Sequence, residues 1–265
     1  MNFSYYEEIK YIQFDSYDQQ VRHGVFTRRG GNSPDPWKSL NLGGTVGDDG
    51  ERVKKNQQKV FNSLGLDIKT KYDIWQVHGS NLIHAIRPRP HHLPKEKGDI
   101  LITNRPDVTL LMRFADCTPV FLFDPSKKVI GLVHAGWKGT VEKAVQVAVK
   151  AMVNDYGCKS VDILAGIGPS IGVDHYEIGH EVATKVKDVF GNTSETLRMD
   201  KDGRLFFDLS EANKQLLENC GVRKIEVSNI CTACNISDWF SHRGENGKTG
   251  RFGALLSLED VNGKG

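Results

Sequence analysis

Three residues that can bind a transition metal stand at the ends of stretches predicted to be strands. Cys117 follows the apolar run Thr109–Phe114, and His134 follows Val129–Val133. His78 lies near the end of a stretch that alternates polar and apolar residues. Zinc prefers imidazole nitrogen and cysteine sulfur, and three protein ligands leave the open position of a catalytic site, where zinc lowers the pKa of bound water to about 7.

The same three residues are open to a simpler interpretation. The separations along the chain, 39 residues from His78 to Cys117 and 17 from there to His134, match no local zinc motif. The fold would have to assemble the site. Taken singly, a cysteine and a histidine at strand ends are also typical of a buried thiol and a hydrogen-bonded histidine.

Copper is an alternative metal for this set, because two histidines and a cysteine also form the trigonal site of blue-copper proteins. A multicopper oxidase needs a further cluster that is rich in His-x-His dipeptides, and the sequence contains no such dipeptide. Laccase chemistry is therefore poorly supported, although copper itself stays an alternative to zinc at these three residues.

A second set of possible ligands comes from the motif Cys231-Thr232-Ala233-Cys234. Together with His175-Tyr176-Glu177 it matches the H-x-E and C-x-x-C halves of the zinc nucleobase deaminases. Ile230 replaces the proline of that motif, and the two halves lie far apart. Alone, a C-x-x-C motif is typical of half a zinc site or of a redox pair.

Two stretches are candidate anion sites. Arg28 begins a Gly-rich turn in which backbone N–H groups could also bind phosphate, although a solvated basic turn has the same composition. Lys138 and Gly139 precede a helix predicted to be capped by Thr140 and to run to about residue 155, where the helix dipole favours an anion. The Walker spacing of a P-loop is missing.

Other polar residues near these stretches could bind a substrate or transfer a proton. Asn41 lies on a Gly-rich loop, and Gln76 lies on the same face of its predicted strand as His78. Asp116, next to Cys117, is the candidate proton-transferring carboxylate, or else it holds the turn.

Strands and helices alternate through the second half of the chain, which predicts a mixed α/β fold without a domain boundary. A Rossmann fold is rejected, because Ile171 stands where its fingerprint needs glycine. The predicted elements include a strand at 74–79, a helix at about 50–64 with an Asp48/Glu51 capping box, a strand at 161–164, a helix at 179–190, a helix at 210–220 capped by Ser210, and a strand at 224–228.

The composition is that of an ordinary globular protein. Hydrophobic residues make up 38% of the 265, charged residues 26%, and the net charge of +2 predicts no binding to nucleic acid or to an anionic membrane. The N-terminus has no signal-peptide pattern, and five irregularly spaced cysteines argue against a disulfide framework. A cytoplasmic location is therefore expected.

Motifs along nearly the whole chain resemble the YfiH/YlmD family, long labelled laccase-domain proteins or polyphenol oxidases and now read as purine nucleoside phosphorylases with adenosine deaminase side activity. The matching segments are HGVFTRRGGNS (23–33), SLNLGGTVGDD (39–49), WQVHGSN (75–81), GDILIT (98–103), ADCTPVFLFDP (115–125), GLVHAGWKGT (131–140), IGPSIG (167–172), CT (231–232) and FSHRGENGKTGRFGALLSL (240–258).

The resemblance implies one zinc bound by His78, Cys117 and His134 in a single-domain, mixed-sheet α/β/β/α fold. It implies a catalytic domain over 1–265, with a disordered tail from about 259. The expected substrates are phosphate with adenosine, inosine, guanosine or methylthioadenosine; the oligomeric state stays open. A copper-dependent polyphenol oxidase and a non-catalytic, zinc-stabilised binding module are the alternatives.

Phosphorolysis needs a phosphate site, for which Arg28, Arg243 and the helix start at Lys138–Gly139 are candidates. Gln76 and Asn41 could hold the base or the ribose. The chain departs from the family pattern at Ser170, where cysteine is common, and at Gly244, where a second arginine usually follows Arg243.

Overall fold

Two β-sheets pack face to face, and helices cover their outer faces. The computed structural model describes residues 1–17, 19–90, 92–191 and 195–259. The strands are β1 (Asn2–Tyr6), β2 (Ile9–Gln13), β3 (Val21–Phe26), β4 (Lys71–Asp73), β5 (Leu82–His84), β6 (Ile100–Thr103), β7 (Thr109–Phe114), β8 (Thr118–Asp124), β9 (Val129–Ala135), β10 (Leu164–Ile167), β11 (Glu177–Ile178), β12 (Leu197–Met199), β13 (Leu205–Phe207), β14 (Lys224–Val227) and β15 (Phe252–Leu258).

Five α-helices and two short 3₁₀ turns occur within the described ranges. The helices are α1 (Gly50–Ser63), α2 (Trp137–Val141), α3 (Ala144–Tyr156), α4 (His180–Phe190) and α5 (Leu209–Asn219), and the turns span Ile68–Thr70 and Ser160–Asp162. No helix in these ranges is long and apolar enough to cross a membrane.

The sheets have the strand orders β1-β2-β3-β15-β7-β4 and β14-β10-β8-β9-β6-β5 among the residues described, and β11-β13-β12 form a small third sheet. Side chains of both large sheets, such as Ile12 and Leu256 from one and Phe121 and Leu132 from the other, form one buried cluster between them. Because β8 and β9 are buried along their whole length, their runs are continuously apolar rather than alternating.

Each outer face is covered by an amphipathic helix. Phe61 of α1 packs against Leu111 and Leu255 of the first sheet. On the other side, Val149 and Met152 of α3 pack against the second sheet. The layers are therefore helix, sheet, sheet and helix, which confirms the predicted α/β/β/α fold.

Two helices are capped by a different residue than the sequence predicted. Asp49, not Asp48, caps α1 by accepting a hydrogen bond from the Arg52 N–H. Asp208, not Ser210, caps α5 by accepting from the Glu211 N–H. In both cases a carboxylate lies three residues before the N–H that it binds, which is the spacing an N-cap requires.

The predicted helix from Thr140 to residue 155 is interrupted. Gly136 begins the short helix α2, and Lys143 takes a left-handed conformation with φ 60° before α3 starts. The Thr140 hydroxyl accepts a hydrogen bond from Asn213 Nδ2 at 3.0 Å instead of capping a helix. The break gives α2 and α3 separate directions.

Two predicted strands are placed differently in the structure. The predicted strand at 74–79 was wrong, because β4 ends at Asp73. The backbone N–H groups of His78 and Gly79 bind the carboxylate of Asp99 instead of a neighbouring strand. The one at 161–164 begins instead at Leu164, after a 3₁₀ turn, where β10 pairs with β8 and β14. Of the predicted tail, Glu259 accepts a hydrogen bond from Arg22 at 2.7 Å, and 260–265 lie outside the described residues.

A buried histidine makes the stability of this core depend on pH. His23 is 3% exposed and lies among Phe14, Tyr17 and Phe121. Its Nε2 accepts the Phe14 N–H at 2.8 Å, and burial lowers the pKa of His23 to about 4. Since the unfolded state binds this proton more readily, the neutral histidine contributes stability that is lost as the pH falls from about 6.5 toward 4.

We expect His23→Gln, whose amide oxygen can still accept the Phe14 N–H, to remove part of this pH dependence. Between pH 7 and 5 the free energy of unfolding should fall by about 2 kcal/mol more in the native chain than in the variant. Urea unfolding at both pH values measures this. His180→Gln, at an exposed position, is the control, and equal pH slopes in H23Q and the native chain would contradict the prediction.

Candidate active site

A cavity of about 760 Å³ opens where several strands of both sheets end. Its walls include the segment after β4, the turn after β7, the end of β9, the start of α2 and the residue before β15. Cavities of roughly 300–1,000 Å³ are typical of small-molecule sites.

The structure brings His78, Cys117 and His134 together in this cavity. One donor atom from each lies within 4.8 Å of the others, and Cys117 Sγ lies 3.8 Å from His78 Nδ1. His134 is the last-but-one residue of β9, Cys117 lies in the turn before β8, and His78 lies in a loop with φ 61°. The fold thus assembles a cluster that no local spacing indicated.

A buried carboxylate, Asp99, orients the His134 ring and holds the backbone of the His78 loop, and sequence reasoning missed it. It lies 2.8 Å from His134 Nδ1, and it accepts the backbone N–H groups of His78 at 2.9 Å and Gly79 at 2.8 Å. His134 therefore presents Nε2 to the cluster. The only signal in the sequence was the segment GDILIT, in which Asp99 immediately precedes β6.

Without a metal, the cluster favours a Cys117 thiolate beside a protonated His134, which has to release its proton to become a metal ligand. Burial opposes charge on Cys117, but the His134 imidazolium and hydrogen bonds from both histidines outweigh it and lower the pKa of the thiol. Burial likewise opposes charge on His134, and the thiolate and Asp99 outweigh it, so that its pKa is raised. The thiolate is the form of cysteine that binds metals.

Gly136 keeps the space beside two of the ligands open. A Cβ at this position would lie 2.9 Å from Cys117 Sγ and 3.4 Å from His78 Nδ1. Any other residue would therefore fill the room next to both donor atoms. Two nitrogen donors, a thiolate and this free space fit a zinc ion with one open position.

Gly136 and Trp137 line the cavity, but Lys138 and Gly139, the residues of the predicted anion site, do not. A Cβ on Gly139 would lie 2.8 Å from the Gly79 carbonyl oxygen, so this glycine allows the helix to pack against the His78 loop. The Lys138 side chain is 51% exposed and lies 3.8 Å from Glu142. Neither Lys138 nor Gly139 is among the described residues that line the cavity.

Arg28 also lies away from the cavity. Its guanidinium donates to the carbonyls of Lys38 and Ile236, at 2.7 and 2.8 Å, and to Glu245 at 2.9 Å, and it stacks on Phe240. These bonds engage three of the five guanidinium N–H donors with oxygens of the protein itself. Arg28 therefore has a structural role, because it connects the loops that carry these partners.

Arg243 does line the cavity, as does Arg251, which the sequence analysis had not singled out. Arg243 donates to the Glu177 carbonyl at 3.1 Å and lies over the Tyr176 ring. Arg251 donates to the Gly250 carbonyl at 2.8 Å. None of the described carboxylates forms an ion pair with either guanidinium, so both arginines bring to the cavity wall a positive charge without a direct counter-ion. Arg251 lies in the FSHRGENGKTGRFGALLSL segment, which was the available signal.

Asp116 lines the cavity, but its carboxylate already accepts three hydrogen bonds. Oδ1 accepts the hydroxyls of Thr232 at 2.7 Å and Ser241 at 2.6 Å, and Oδ2 accepts the Arg243 N–H at 2.7 Å. The residue is 8% exposed and has φ 88°. It thereby ties the turn of Cys117 to the segment that carries Arg243.

Gln76 and Asn41 hold the backbone around the cavity. The Gln76 amide donates to the Arg113 carbonyl at 2.7 Å and accepts its N–H at 2.9 Å, which substitutes for the strand pairing that ends at β4. Asn41 is fully buried and accepts the N–H groups of Gly43 and Arg251, at 3.0 and 2.9 Å. Gln76 lines the cavity. Asn41 lies outside the cavity wall and holds the backbone N–H of Arg251, which does line the cavity.

A second group of possible ligands lies outside the cavity wall. His175, Cys231 and Cys234 have one donor atom each within 4.8 Å of the others. Their large separation along the chain had counted against this set. The pairing of Ser170 with Cys231 brings the two segments together.

Comparisons with known proteins find relatives that match along nearly the whole chain. The chain is 37% identical over 238 residues to "Purine nucleoside phosphorylase" of Deinococcus radiodurans, covering 90% of this chain and 89% of the relative. It is 31% identical over 259 residues to "Purine nucleoside phosphorylase YlmD" of Bacillus subtilis, covering 95% and 93%. The crystal structure of Bacillus licheniformis YfiH superposes with a TM-score of 0.90 at 32% identity, covering 97% and 99%.

The family model described as "Multi-copper polyphenol oxidoreductase laccase" matches residues 22–259. That match covers most of the chain, and the relatives and the solved structure carry the names YlmD and YfiH. The chain therefore belongs to this laccase-like YfiH/YlmD family.

Proposed function

We propose that the chain is a zinc-containing purine nucleoside phosphorylase that also deaminates adenosine. The observation that carries the proposal is one cavity of about 760 Å³ that combines the His78–Cys117–His134 cluster with two guanidinium groups that have no described counter-ion. The names of relatives of similar length support it.

The phosphate would bind at the end of the cavity where Arg243 and Arg251 lie. Guanidinium groups bind phosphate oxygens with paired hydrogen bonds and keep their charge in a partly buried site. Burial lowers the pKa of Arg251, an effect that the charges of Cys117 and Asp116 oppose. A bound dianion would satisfy both cations.

The nucleoside would occupy the remaining volume, where Trp75, Trp137 and Tyr176 offer aromatic surface. Aromatic rings are suited to stack against a purine base. In the reaction a phosphate oxygen forms a bond to the anomeric carbon of the ribose, the bond from that carbon to the purine nitrogen breaks, and the base leaves with the electron pair and takes up a proton. The expected nucleosides are adenosine, inosine, guanosine and methylthioadenosine.

His78, Cys117 and His134 would hold the zinc ion, which supplies a Lewis acid and can lower the pKa of a ligand water when bound. Asp99 fixes the His134 ring for this purpose. Deamination also needs a carboxylate that moves protons, and Asp116 is the candidate because it alone among the described carboxylates lines the cavity. Its three protein hydrogen bonds favour phosphorolysis as the main activity.

The direct test is to incubate the purified chain with inosine, with and without phosphate. Hypoxanthine and ribose 1-phosphate should form only with phosphate, and the absence of phosphate-dependent base release from any of the four nucleosides would refute the proposal. Adenosine without phosphate tests deamination through the formation of inosine.

Metal analysis of the same preparation tests the oxidase alternative, which the description of the family model raises. Zinc without copper, and no oxidation of phenols, is the expected result. Copper in the His78–Cys117–His134 cluster together with phenol oxidation would favour a polyphenol oxidase.

Replacing Arg251 with methionine is expected to raise the KM for phosphate at least about tenfold, because a charge-assisted hydrogen bond is worth about 1.5–3 kcal/mol. The KM for inosine should change much less. Lys138→Met is the matched control, since it removes a cation that lies outside the cavity wall. A phosphate KM that rises in K138M and not in R251M would place the anion at the start of α2.

A further inference from the structure

The group His175, Cys231 and Cys234 has the composition and proximity of a second metal site. His175 Nδ1 lies 3.8 Å from Cys231 Sγ and 3.6 Å from Cys234 Sγ. All three are among the donor types that zinc prefers, and the two cysteines have the C-x-x-C spacing of structural zinc sites. Each of the five cysteines, these two included, is a free thiol in the structure.

Two backbone N–H groups point to the sulfur of Cys231. The Gly172 N–H lies 3.2 Å from Cys231 Sγ, and the Cys234 N–H lies 3.4 Å from the same atom. Hydrogen bonds of this kind orient a metal ligand from outside the coordination shell. Gly172 permits this approach, because a Cβ there would lie 3.2 Å from the sulfur.

The two segments that carry these ligands are already joined by backbone hydrogen bonds. The Thr232 N–H donates to the Ser170 carbonyl at 3.0 Å, and the Ser170 N–H donates to the Ile230 carbonyl at 3.2 Å. The His175 N–H donates to the Gly172 carbonyl at 3.0 Å. The donor atoms therefore lie on two turns whose relative position is set before any metal binds, which lowers the entropic cost of binding.

We propose that His175, Cys231 and Cys234 bind a second zinc ion, at a site separate from the cavity. The ion completes its tetrahedral coordination with water, since three protein ligands leave a fourth position. The chain then binds two zinc ions when both sites are filled, rather than the one expected from the sequence.

The second zinc would fasten two turns that shape the cavity. Tyr176, which follows His175, lines the cavity beneath Arg243. Thr232, which follows Cys231, donates to Asp116 at 2.7 Å. The site therefore acts on the arginine end of the cavity through residues adjacent to its ligands.

The test is the number of zinc ions per chain, measured after loading with excess zinc and desalting. We expect two in the native chain, one in His175→Ala and in Cys234→Ser, one in Cys117→Ser, and none in C117S combined with H175A. His180→Ala and Cys220→Ser are the matched controls and should keep two. A native zinc count that H175A and C234S both leave unchanged would overturn the proposal, including the case of a single zinc that only C117S removes.

Counting thiols separates this site from a redox pair. In denaturant with a chelator, all five cysteines should react with a disulfide reagent, whereas a Cys231–Cys234 disulfide would leave three and overturn the proposal. In the folded chain, bound zinc should slow the reaction of Cys234, which is exposed, and chelation should restore it. H175A keeps the test valid if a cysteine variant fails to fold, because His175 is exposed.

Discussion

Replacing Cys117 with serine is expected to lower the rate of phosphorolysis by roughly three orders of magnitude, because the variant loses the thiolate ligand of the proposed zinc site. The side chain is half-buried at the cavity wall and packs at the edge of the buried cluster between the sheets, and serine has nearly the same size as cysteine. The thermal unfolding midpoint should therefore fall by only about a few degrees. Initial rates with inosine and phosphate, together with calorimetry, measure the two effects.

The same variant decides between an enzyme and a zinc-stabilised binding module. If the cluster merely held the fold together, C117S would unfold, as small zinc domains do without their metal. Cys158→Ser, which alters a buried cysteine of the other core cluster, provides the control for a loss of packing alone. A folded C117S protein with native activity would contradict the proposed role of the cluster.

Replacing Asp99 with asparagine is expected to weaken metal binding in the cavity, and with it activity, by about 10- to 100-fold. The carboxylate contacts His134 Nδ1 and accepts the N–H groups of His78 and Gly79. A neutral amide has one acceptor oxygen instead of two and cannot satisfy all these partners. Titration with a competing chelator, in the H175A background to remove the second site, measures the affinity.

Asp124→Asn is the matched control for Asp99→Asn, because it alters a fully buried carboxylate that binds backbone N–H groups of Ser126 and Lys127 away from the cavity. It should lower stability without changing metal affinity. Equal affinities in D99N and D124N would show that Asp99 supports only the fold.

The sequence by itself predicted the fold class and singled out three candidate metal ligands, His78, Cys117 and His134. Long apolar runs such as β8 and β9 were predictable, because a strand that is buried on both faces leaves a continuous hydrophobic pattern in the sequence. The three ligands stood out because of their residue types and because the family motifs contain them. Spacing alone could not predict that the three side chains meet, since 39 residues separate the first two.

Only the tertiary structure decided which polar residues reach the cavity. Nothing in the sequence distinguishes the roles of Arg28 and Arg251. The Arg28 guanidinium is hydrogen-bonded to Glu245 and to backbone carbonyls, whereas Arg251 lines the cavity. Asp99 and Gln76 were not recognisable as supports of the site, because each bonds to backbone of a segment that is distant in sequence. Hydrogen bonds of this kind depend on the packing of loops, which leaves no periodic pattern.

The group His175, Cys231 and Cys234 shows most clearly that sequence patterns do not reveal which distant residues meet. His175 and the C-x-x-C motif are separated by more than fifty residues, and their proximity follows from the pairing of Ser170 with Cys231 beside β10 and β14. Residue types determine which metal a site could hold, because ligand chemistry is local. Whether three such side chains meet depends on strand order and loop contacts, which only the folded chain fixes.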